Sequence, residues 1–135
     1  MIVTKIQGGL GNQIFQWAYG FSLSLKYKVP QYLDLSFYKI QNGSTKRFYS
    51  LNKFPNLIFS EIKIPYLDLI RVNDDFVFRD LKISNNNYYL DGYWQSEKYF
   101  KDHKDEIKNS LKINEEKFKK YEKNRPTFRD RKSVV

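Results

Sequence analysis

The sequence predicts an α/β fold, with a Rossmann-like parallel sheet flanked by helices, and three consecutive stretches carry that prediction. The β-branched run 2–6 is typical of a strand, the apolar residues of 14–26 recur at helical spacing, and 31–35 is typical of a second strand. A strand, a helix and a strand in this order form a βαβ unit, whose two strands lie parallel in one sheet. We therefore expect a parallel sheet that begins with these elements.

The first predicted helix is amphipathic. Its apolar positions place Phe15, Ala18, Tyr19 and Leu25 on the inward face. Pro30 cannot continue a helix, so the chain must break before the second strand. Asp34 then falls at the carboxyl end of that strand, where α/β proteins bind ligands, although an aspartate at this position also commonly forms a turn.

Further strands and turns are predicted downstream. The runs 76–78 and 88–94 are typical of strands, and 47–51 of either a short strand or an ordered connector. Polar residues with asparagine predict a loop at 42–44 and a turn at 85–87. These segments would extend the sheet begun by the βαβ unit.

Three more helices are predicted. A short one fits the apolar residues between 62 and 70, and a longer one begins after Ser96, a good N-cap residue, and runs to about Leu111. Asn114 precedes two glutamates and would cap the last helix. All of these would pack on the sheet.

The domain organisation follows from length and periodicity. A chain of 135 residues suffices for one domain with a core but is short for a two-domain enzyme. We expect one α/β domain over 1–126. The stretch 127–135 has no periodicity, and its end resembles translated sequencing-adapter sequence, which predicts a non-native or disordered tail.

Composition restricts the classes of partner. The chain has a formal net charge of +9 and no cysteine, so anionic partners are favoured and a disulfide framework or cysteine-based zinc site is excluded. No apolar run reaches the ~20 residues of a membrane span, and the start lacks the pattern of a signal peptide. We therefore expect a cytoplasmic protein, whose basic surface could contact the inner face of the membrane peripherally.

A glycine-rich turn, 7–13, joins the first strand to the first helix. Such a turn brings backbone N–H groups close to a charged ligand, although it can also be a tight connection with nothing bound. Asn12 stands where an N-cap residue belongs. Ile14 occupies the third glycine position of a dinucleotide fingerprint, and no lysine follows as in a Walker A loop, so neither cofactor class is supported.

Two segments carry a specific resemblance. Residues 8–18, Gly-Gly-Leu-Gly-Asn-Gln-Ile-Phe-Gln-Trp-Ala, resemble the N-terminal signature of α-1,2-fucosyltransferases, and 89–100 resembles a second segment of that family. The resemblance implies the first domain of a GT-B-like enzyme. Such an enzyme would transfer L-fucose from GDP-fucose to the 2-hydroxyl of a galactoside, with inversion and without a bound metal or other cofactor.

The resemblance also implies roles for individual residues. Backbone and side chains of the glycine-rich turn would bind the donor, and a second group would lie near a sugar, although Trp94 could equally be a core residue. The donor-binding residues would be Gly8, Gly9, Leu10, Gly11, Asn12 and Gln13, and the sugar-proximal ones Tyr93, Trp94 and Gln95. Gln13 could instead hold the turn in place.

Two features that the resemblance implies are missing. The His-x-Arg-Arg-x-Asp-Tyr motif, expected to neutralise the leaving diphosphate, does not occur, so no catalytic residue is identified. The second, nucleotide-binding domain is not present either, so we interpret the chain as the N-terminal half of a truncated enzyme and expect it to be inactive alone. The acceptor, the general base and the oligomeric state stay open. Two other classes remain as alternatives. One is a nucleic-acid-binding module with a basic aromatic surface, although the lysines cluster in the predicted late helices and do not alternate with aromatic residues along a strand. The other is half of a nucleotide-dependent oxidoreductase.

Metal-binding patterns are weak. His103, the sole histidine, stands among charged residues and is predicted to be a solvated surface side chain. Asp74 and Asp75 are adjacent, so their side chains point apart, and they are predicted to close a turn. We expect no metal site.

Overall fold

The fold is a parallel sheet with a helix crossing it. The computed structural model describes residues 1–39, 47–55, 57, 60–62 and 68–112. Its strands are β1 Ile2–Lys5, β2 Gln31–Asp34, β3 Ile70–Asn73 and β4 Tyr88–Asp91. They form one sheet in the order β2-β1-β4-β3, with all neighbours parallel, and a parallel bridge from Leu33 to Glu61 adds a short fifth segment beside β2. The predicted α/β class is confirmed, whereas its place in a two-domain enzyme stays a prediction.

Helix α1, Leu10–Tyr27, connects β1 to β2 as predicted, but it begins earlier than expected. Gly9 is the N-cap residue and makes no side-chain capping bond, while Asn12 is the third helical residue. The prediction of Asn12 as N-cap was wrong because the helix begins two residues before it, at Leu10; the Asn12 side-chain oxygen accepts a hydrogen bond from Gln95. At the other end, Lys28 adopts a left-handed conformation with φ 55°, and its N–H closes the helix on the carbonyl of Ser24.

The core consists of two hydrophobic clusters beneath α1. The first is centred on Trp17, which is fully buried with Ile6 and Leu33. The second is aromatic, with the rings of Tyr19 and Tyr99 packed 4.6 Å apart. Both clusters contain side chains of α1. Of the residues predicted on its inward face, Ala18 and Tyr19 are buried, Phe15 is half-buried and Leu25 is exposed.

The strand predicted at 76–78 is wrong. Asp74 Oδ1 accepts from the N–H of Phe76 at 2.9 Å, and Asp75 Oδ1 accepts from the N–H of Val77 at 3.3 Å, so two side chains replace the pairing of a strand. Phe76 has φ 65° and is 79% exposed. The strand lies just upstream, as β3, and the turn-forming role predicted for the two aspartates is confirmed.

The helix predicted from Ser96 to Leu111 is divided. The Ser96 side chain accepts from the N–H of Lys98, as predicted for a cap, but a 3₁₀ segment Glu97–His103 precedes helix α2, Lys104–Ser110. Phe100 leaves helical geometry at φ −139°, and its ring lies 5.9 Å from that of Phe15. The helical geometry is thus interrupted at the residue whose ring packs on α1.

Several predicted features are only partly described or lie outside the described residues. The turn at 85–87 is present, the strand predicted at 88–94 ends at Asp91, and 47–51 is a connector that ends in a 3₁₀ turn, Leu51–Lys53. The loop 42–44, the helix after Asn114, the tail 127–135 and most of the helix predicted over 62–70 lie outside the described residues, although Ile70 itself begins β3. In the described ranges, no helix has the length and apolar character needed to span a bilayer.

Alkaline pH should destabilise the fold. Burial raises the pKa of the Tyr19, Tyr38, Tyr49 and Tyr89 hydroxyls above the ordinary value of 10.0. Since the unfolded chain then loses these protons first, the free energy of unfolding should fall as pH rises above about 10. Thermal unfolding with tyrosinate absorbance checks this, and Tyr89→Phe should make the decline less steep. Tyrosinate absorbance that rises fully before unfolding would contradict it.

Candidate functional site

The two segments singled out in the sequence meet at one edge of the sheet. The glycine-rich turn 7–13 follows β1 and residues 92–95 follow β4, and these strands are parallel neighbours, so both segments leave the sheet at its carboxyl edge. There the side-chain amide of Gln95 donates to Oδ1 of Asn12. Residues 83 positions apart in sequence are thus in direct contact.

Gly8 sets the shape of the turn. Its φ is +79°, a conformation that residues with a Cβ rarely adopt. A Cβ built on Gly8 would lie 2.9 Å from Nδ2 of Asn12, so the Asn12 side chain folds back over this residue. Glycine at this position therefore allows the contact between Asn12 and Gln95.

Two buried glutamines of α1 hold the turn. Gln13 Nε2 donates to the carbonyls of Gly8 at 3.1 Å and Phe48 at 2.7 Å, and its Oε1 accepts from the N–H of Ser50 at 2.8 Å. Gln16 pairs with both backbone groups of Gln7, at 2.9 and 3.2 Å. Both side chains are fully buried. Gln13 thus holds the turn, which is one of the two roles predicted for it. No role was predicted for Gln16, because the resemblance implied none for this residue.

The start of α1 presents backbone donors. The first helical bond runs from the N–H of Gln13 to the carbonyl of Gly9 at 3.0 Å, so the N–H groups of Leu10, Gly11 and Asn12 precede the helical ladder. The first turn contains no acidic residue and the N-cap makes no side-chain bond. Gly8 to Asn12 are all half-buried and therefore partly open to solvent. The helix dipole adds positive potential at this end, which favours an anion.

The segment 47–50 also lies beside the glycine-rich turn. The sequence did not predict this contact. A Cβ on Gly9 would lie 3.6 Å from Nη1 of Arg47, so the guanidinium group lies beside the turn. The Phe48 side chain is 73% exposed, although its carbonyl is bound to Gln13. In the sequence, the available signal was an arginine followed by two aromatic residues, Arg47-Phe48-Tyr49, but this run lies far from both motifs.

The aromatic pair after β4 is divided between surface and core. Trp94 is 3% exposed, with φ 54°, and its ring lies 4.7 Å from that of Tyr19, so it occupies the core and offers no open face for stacking. The backbone N–H of Trp94 donates to Oδ2 of Asp74 at 3.0 Å. Tyr93 is 37% exposed and remains available at the edge.

Carboxylates at this edge already have partners. Asp34 is 7% exposed; it accepts from the hydroxyl of Tyr89 at 2.5 Å and from the N–H of Ser36 at 3.0 Å, which confirms its turn-forming role. Asp91 at the end of β4 contacts Arg71 and lies 3.7 Å from Nζ of Lys5. These contacts give no reason to assign Asp34 or Asp91 as a general base.

His103 differs from its prediction. Instead of a solvated side chain it is half-buried, with Nδ1 2.7 Å from Oγ of Ser22 on α1. The 3₁₀ segment that carries His103 packs on α1. The charged neighbours of His103 in the sequence indicated a surface position instead. The described ranges hold no group of three or more histidine, aspartate or glutamate residues suited to a metal ion.

A cavity of about 270 Å³ lies elsewhere, along the later turns of α1. Its lining includes Tyr19, Lys26, Phe78 and Lys98. None of the sequence-predicted site residues lines it, so the carboxyl edge of the sheet, and not this cavity, is the candidate site.

The sequence is similar to a curated glycosyltransferase. It is 30% identical over 126 residues to an alpha-1,2-colitosyltransferase of Escherichia coli, and the match covers 80% of this chain but 43% of that protein. The chain thus spans less than half the length of this relative. No family model matches the sequence. No solved structure matches it either. The similarity supports a glycosyltransferase family without identifying the member.

Proposed function

We propose that the chain forms part of the donor site of a glycosyltransferase, one that transfers L-fucose or a related deoxy sugar from a guanosine diphosphate to the 2-hydroxyl of a galactoside. The resemblance of two segments to α-1,2-fucosyltransferases and the similarity to a colitosyltransferase support this proposal. Colitose is L-fucose without one hydroxyl group, so the motif resemblance and the curated relative are consistent with the same class of sugar. The net charge of +9 suits an anionic donor.

The contact between Asn12 and Gln95 carries the proposal. It joins the two segments that resemble the same family, and it does so at the carboxyl edge of a parallel sheet, where α/β proteins bind ligands. A purely structural turn would not require that both segments present amide side chains at the same solvent-exposed place. The two amides retain further donors and an acceptor for hydroxyl or phosphate oxygens.

The chemistry requires stabilisation of a leaving group. As the bond from the sugar to the diphosphate breaks, negative charge develops on the diphosphate oxygens. The N–H groups of Leu10, Gly11 and Asn12, at the positive end of α1, are fixed donors for such charge. The Arg47 guanidinium beside Gly9 would add a cation. The residues that activate the acceptor hydroxyl are not assigned.

Titration of the ¹⁵N-labelled chain, followed by NMR, tests this function. GDP-fucose should shift the backbone amides of 8–13 and the side-chain amide of Gln95, with an affinity in the millimolar range because part of the site is involved. Asn12→Ala should weaken binding at least tenfold, since a hydrogen bond to a charged ligand contributes about 1.5–3 kcal/mol. GDP-colitose and GDP alone, run in parallel, separate the sugar from the nucleotide.

Asn86→Ala is the matched control. Asn86 is an exposed asparagine in the turn before β4, at the opposite edge of the sheet, and its amide bonds locally to Ser84 Oγ at 3.0 Å. Its replacement should leave binding unchanged. Loop amides that do not respond to any guanosine nucleotide would contradict the proposal. A stronger response to single-stranded RNA or to a nicotinamide dinucleotide would favour one of the other two classes.

A further inference from the structure

The carbonyl of Gly8 accepts two hydrogen bonds. The hydroxyl of Tyr38 donates to it at 2.9 Å, and Nε2 of Gln13 donates at 3.1 Å. A carbonyl oxygen has two lone pairs, so both are used. The two donors come from different parts of the chain, one from the turn after β2 and one from α1, and together they fix the direction in which this carbonyl points.

This direction determines where the next N–H points. All peptide bonds in the described residues are trans, so the carbonyl of Gly8 and the N–H of Gly9 lie in one plane and point in opposite directions. With the carbonyl held toward Tyr38 and Gln13, the N–H of Gly9 must face away from them. No acceptor among the described residues takes this N–H, and Gly9 is half-buried.

Neighbouring groups hold Tyr38 in its position. Asp34 at the end of β2 accepts from the N–H of Ser36 at 3.0 Å, which starts the 3₁₀ turn Ser36–Tyr38. The Tyr38 ring packs edge-on against Phe37 at 5.1 Å and is tilted against Tyr49 at 6.1 Å. The hydroxyl is protonated at neutral pH and can donate, and burial raises its pKa further above the ordinary value of 10.0.

We propose that Tyr38 is a positioning residue of the donor site, whose hydroxyl, with the Gln13 amide, orients the Gly8–Gly9 peptide so that the Gly9 N–H joins the first-turn N–H groups in binding a phosphate oxygen of the nucleotide sugar. The inference rests on the proposed function for its ligand. The orientation of the peptide can be measured without the ligand. Tyr38 does not touch the substrate and acts through the backbone.

Tyr38→Phe tests this role, because it keeps the ring and removes only the hydroxyl. In the ligand-free chain, the carbonyl carbon of Gly8 and the amide of Gly9 should change their chemical shifts. In the titration with GDP-fucose, the affinity should fall roughly three- to tenfold, the equivalent of one neutral hydrogen bond. The Gly9 amide should lose most of its ligand-induced shift.

Tyr27→Phe is the matched control. Tyr27 lies in the last turn of α1, and its hydroxyl likewise donates to a main-chain carbonyl, that of Leu81, at 3.0 Å. This variant should lower the free energy of unfolding similarly but leave both the Gly8 shift and the affinity unchanged. If Tyr38→Phe binds GDP-fucose as tightly as the original chain, or if Tyr27→Phe weakens binding equally, the positioning role is wrong.

The two proposals fail separately. If the original chain does not bind GDP-fucose through 8–13, the proposed function is wrong, whatever Tyr38→Phe does to the Gly8 carbonyl. If the original chain binds but the Gly8 carbonyl shift is the same with and without the Tyr38 hydroxyl, the proposed function stands and the positioning role is overturned.

Discussion

Replacement of Trp17 by alanine is expected to lower the free energy of unfolding by about 3–5 kcal/mol, the range for removal of a large buried aromatic side chain. Trp17 is fully buried, packs with Ile6 and Leu33 in the first core cluster, and is stacked on Phe21 with ring centroids 5.0 Å apart. Since native proteins are stable by only about 5–15 kcal/mol, the variant should lose a large share of its free energy of unfolding.

Urea denaturation followed by fluorescence measures this effect, because Trp94, the other of the two tryptophans, is also buried and remains as the probe. Trp17→Phe is the control. The indole N–H of Trp17 has no hydrogen-bond partner among the described residues, so phenylalanine loses volume but no bond. It should cost less than half as much as alanine. Equal costs for the two variants would show that ring packing at this position does not stabilise the fold.

Gly20→Ala is expected to destabilise the chain by about 1–3 kcal/mol, although alanine favours a helix interior by about 1 kcal/mol. Gly20 lies where α1 crosses β1 and β2. A Cβ there would be 1.8 Å from Oε1 of Gln31 and 2.2 Å from Oγ1 of Thr4. The Gln31 oxygen can swing away, but the Thr4 hydroxyl stands on a short, fully buried side chain, so the helix itself must move outward.

A double-mutant cycle with Thr4→Ala isolates this contact. Thr4→Ala alone should destabilise, because its hydroxyl donates to Oε1 of Gln31 at 2.8 Å. Combined with Gly20→Ala, it removes one of the two colliding atoms, so the double variant should be more stable than the sum of the single effects predicts. Additive effects would rule out the steric explanation, and a stabilising Gly20→Ala would show that the crossing is looser than the structure indicates.

The first βαβ unit was predictable because local signals agree there. β-branched residues in 2–6, helical spacing in 14–26 and a proline before the second strand all point to the same elements, and α1 and β2 follow. The strand predicted at 76–78 failed because its apolar residues carried the pattern, whereas Asp74 and Asp75 decided the backbone through hydrogen bonds to it. Side-chain capping of this kind has no periodicity to detect.

The candidate site was predictable only in part. The glycine-rich turn and Gln95 were identified from motifs, and the structure brings Asn12 and Gln95 together, but their binding roles stay predictions. Tyr38 and Arg47 were missed because each reaches the turn through tertiary structure, from a segment without a motif. Trp94 could not be assigned to surface or core from sequence, since a left-handed backbone turns its ring inward.

The sheet order has a consequence for biosynthesis. β1 is synthesised well before β4, yet β4 is its inner neighbour in the sheet, and the amino group of Met1 bonds to Asn87, 86 residues later. A ribosome that adds about 5–20 residues per second needs several seconds to make that partner. Until then the first strand has one open edge, which exposes it to chaperones and to other nascent chains. We therefore expect β1 and β2 to pair early and the four-stranded sheet to be completed only after β4 has left the ribosomal exit tunnel.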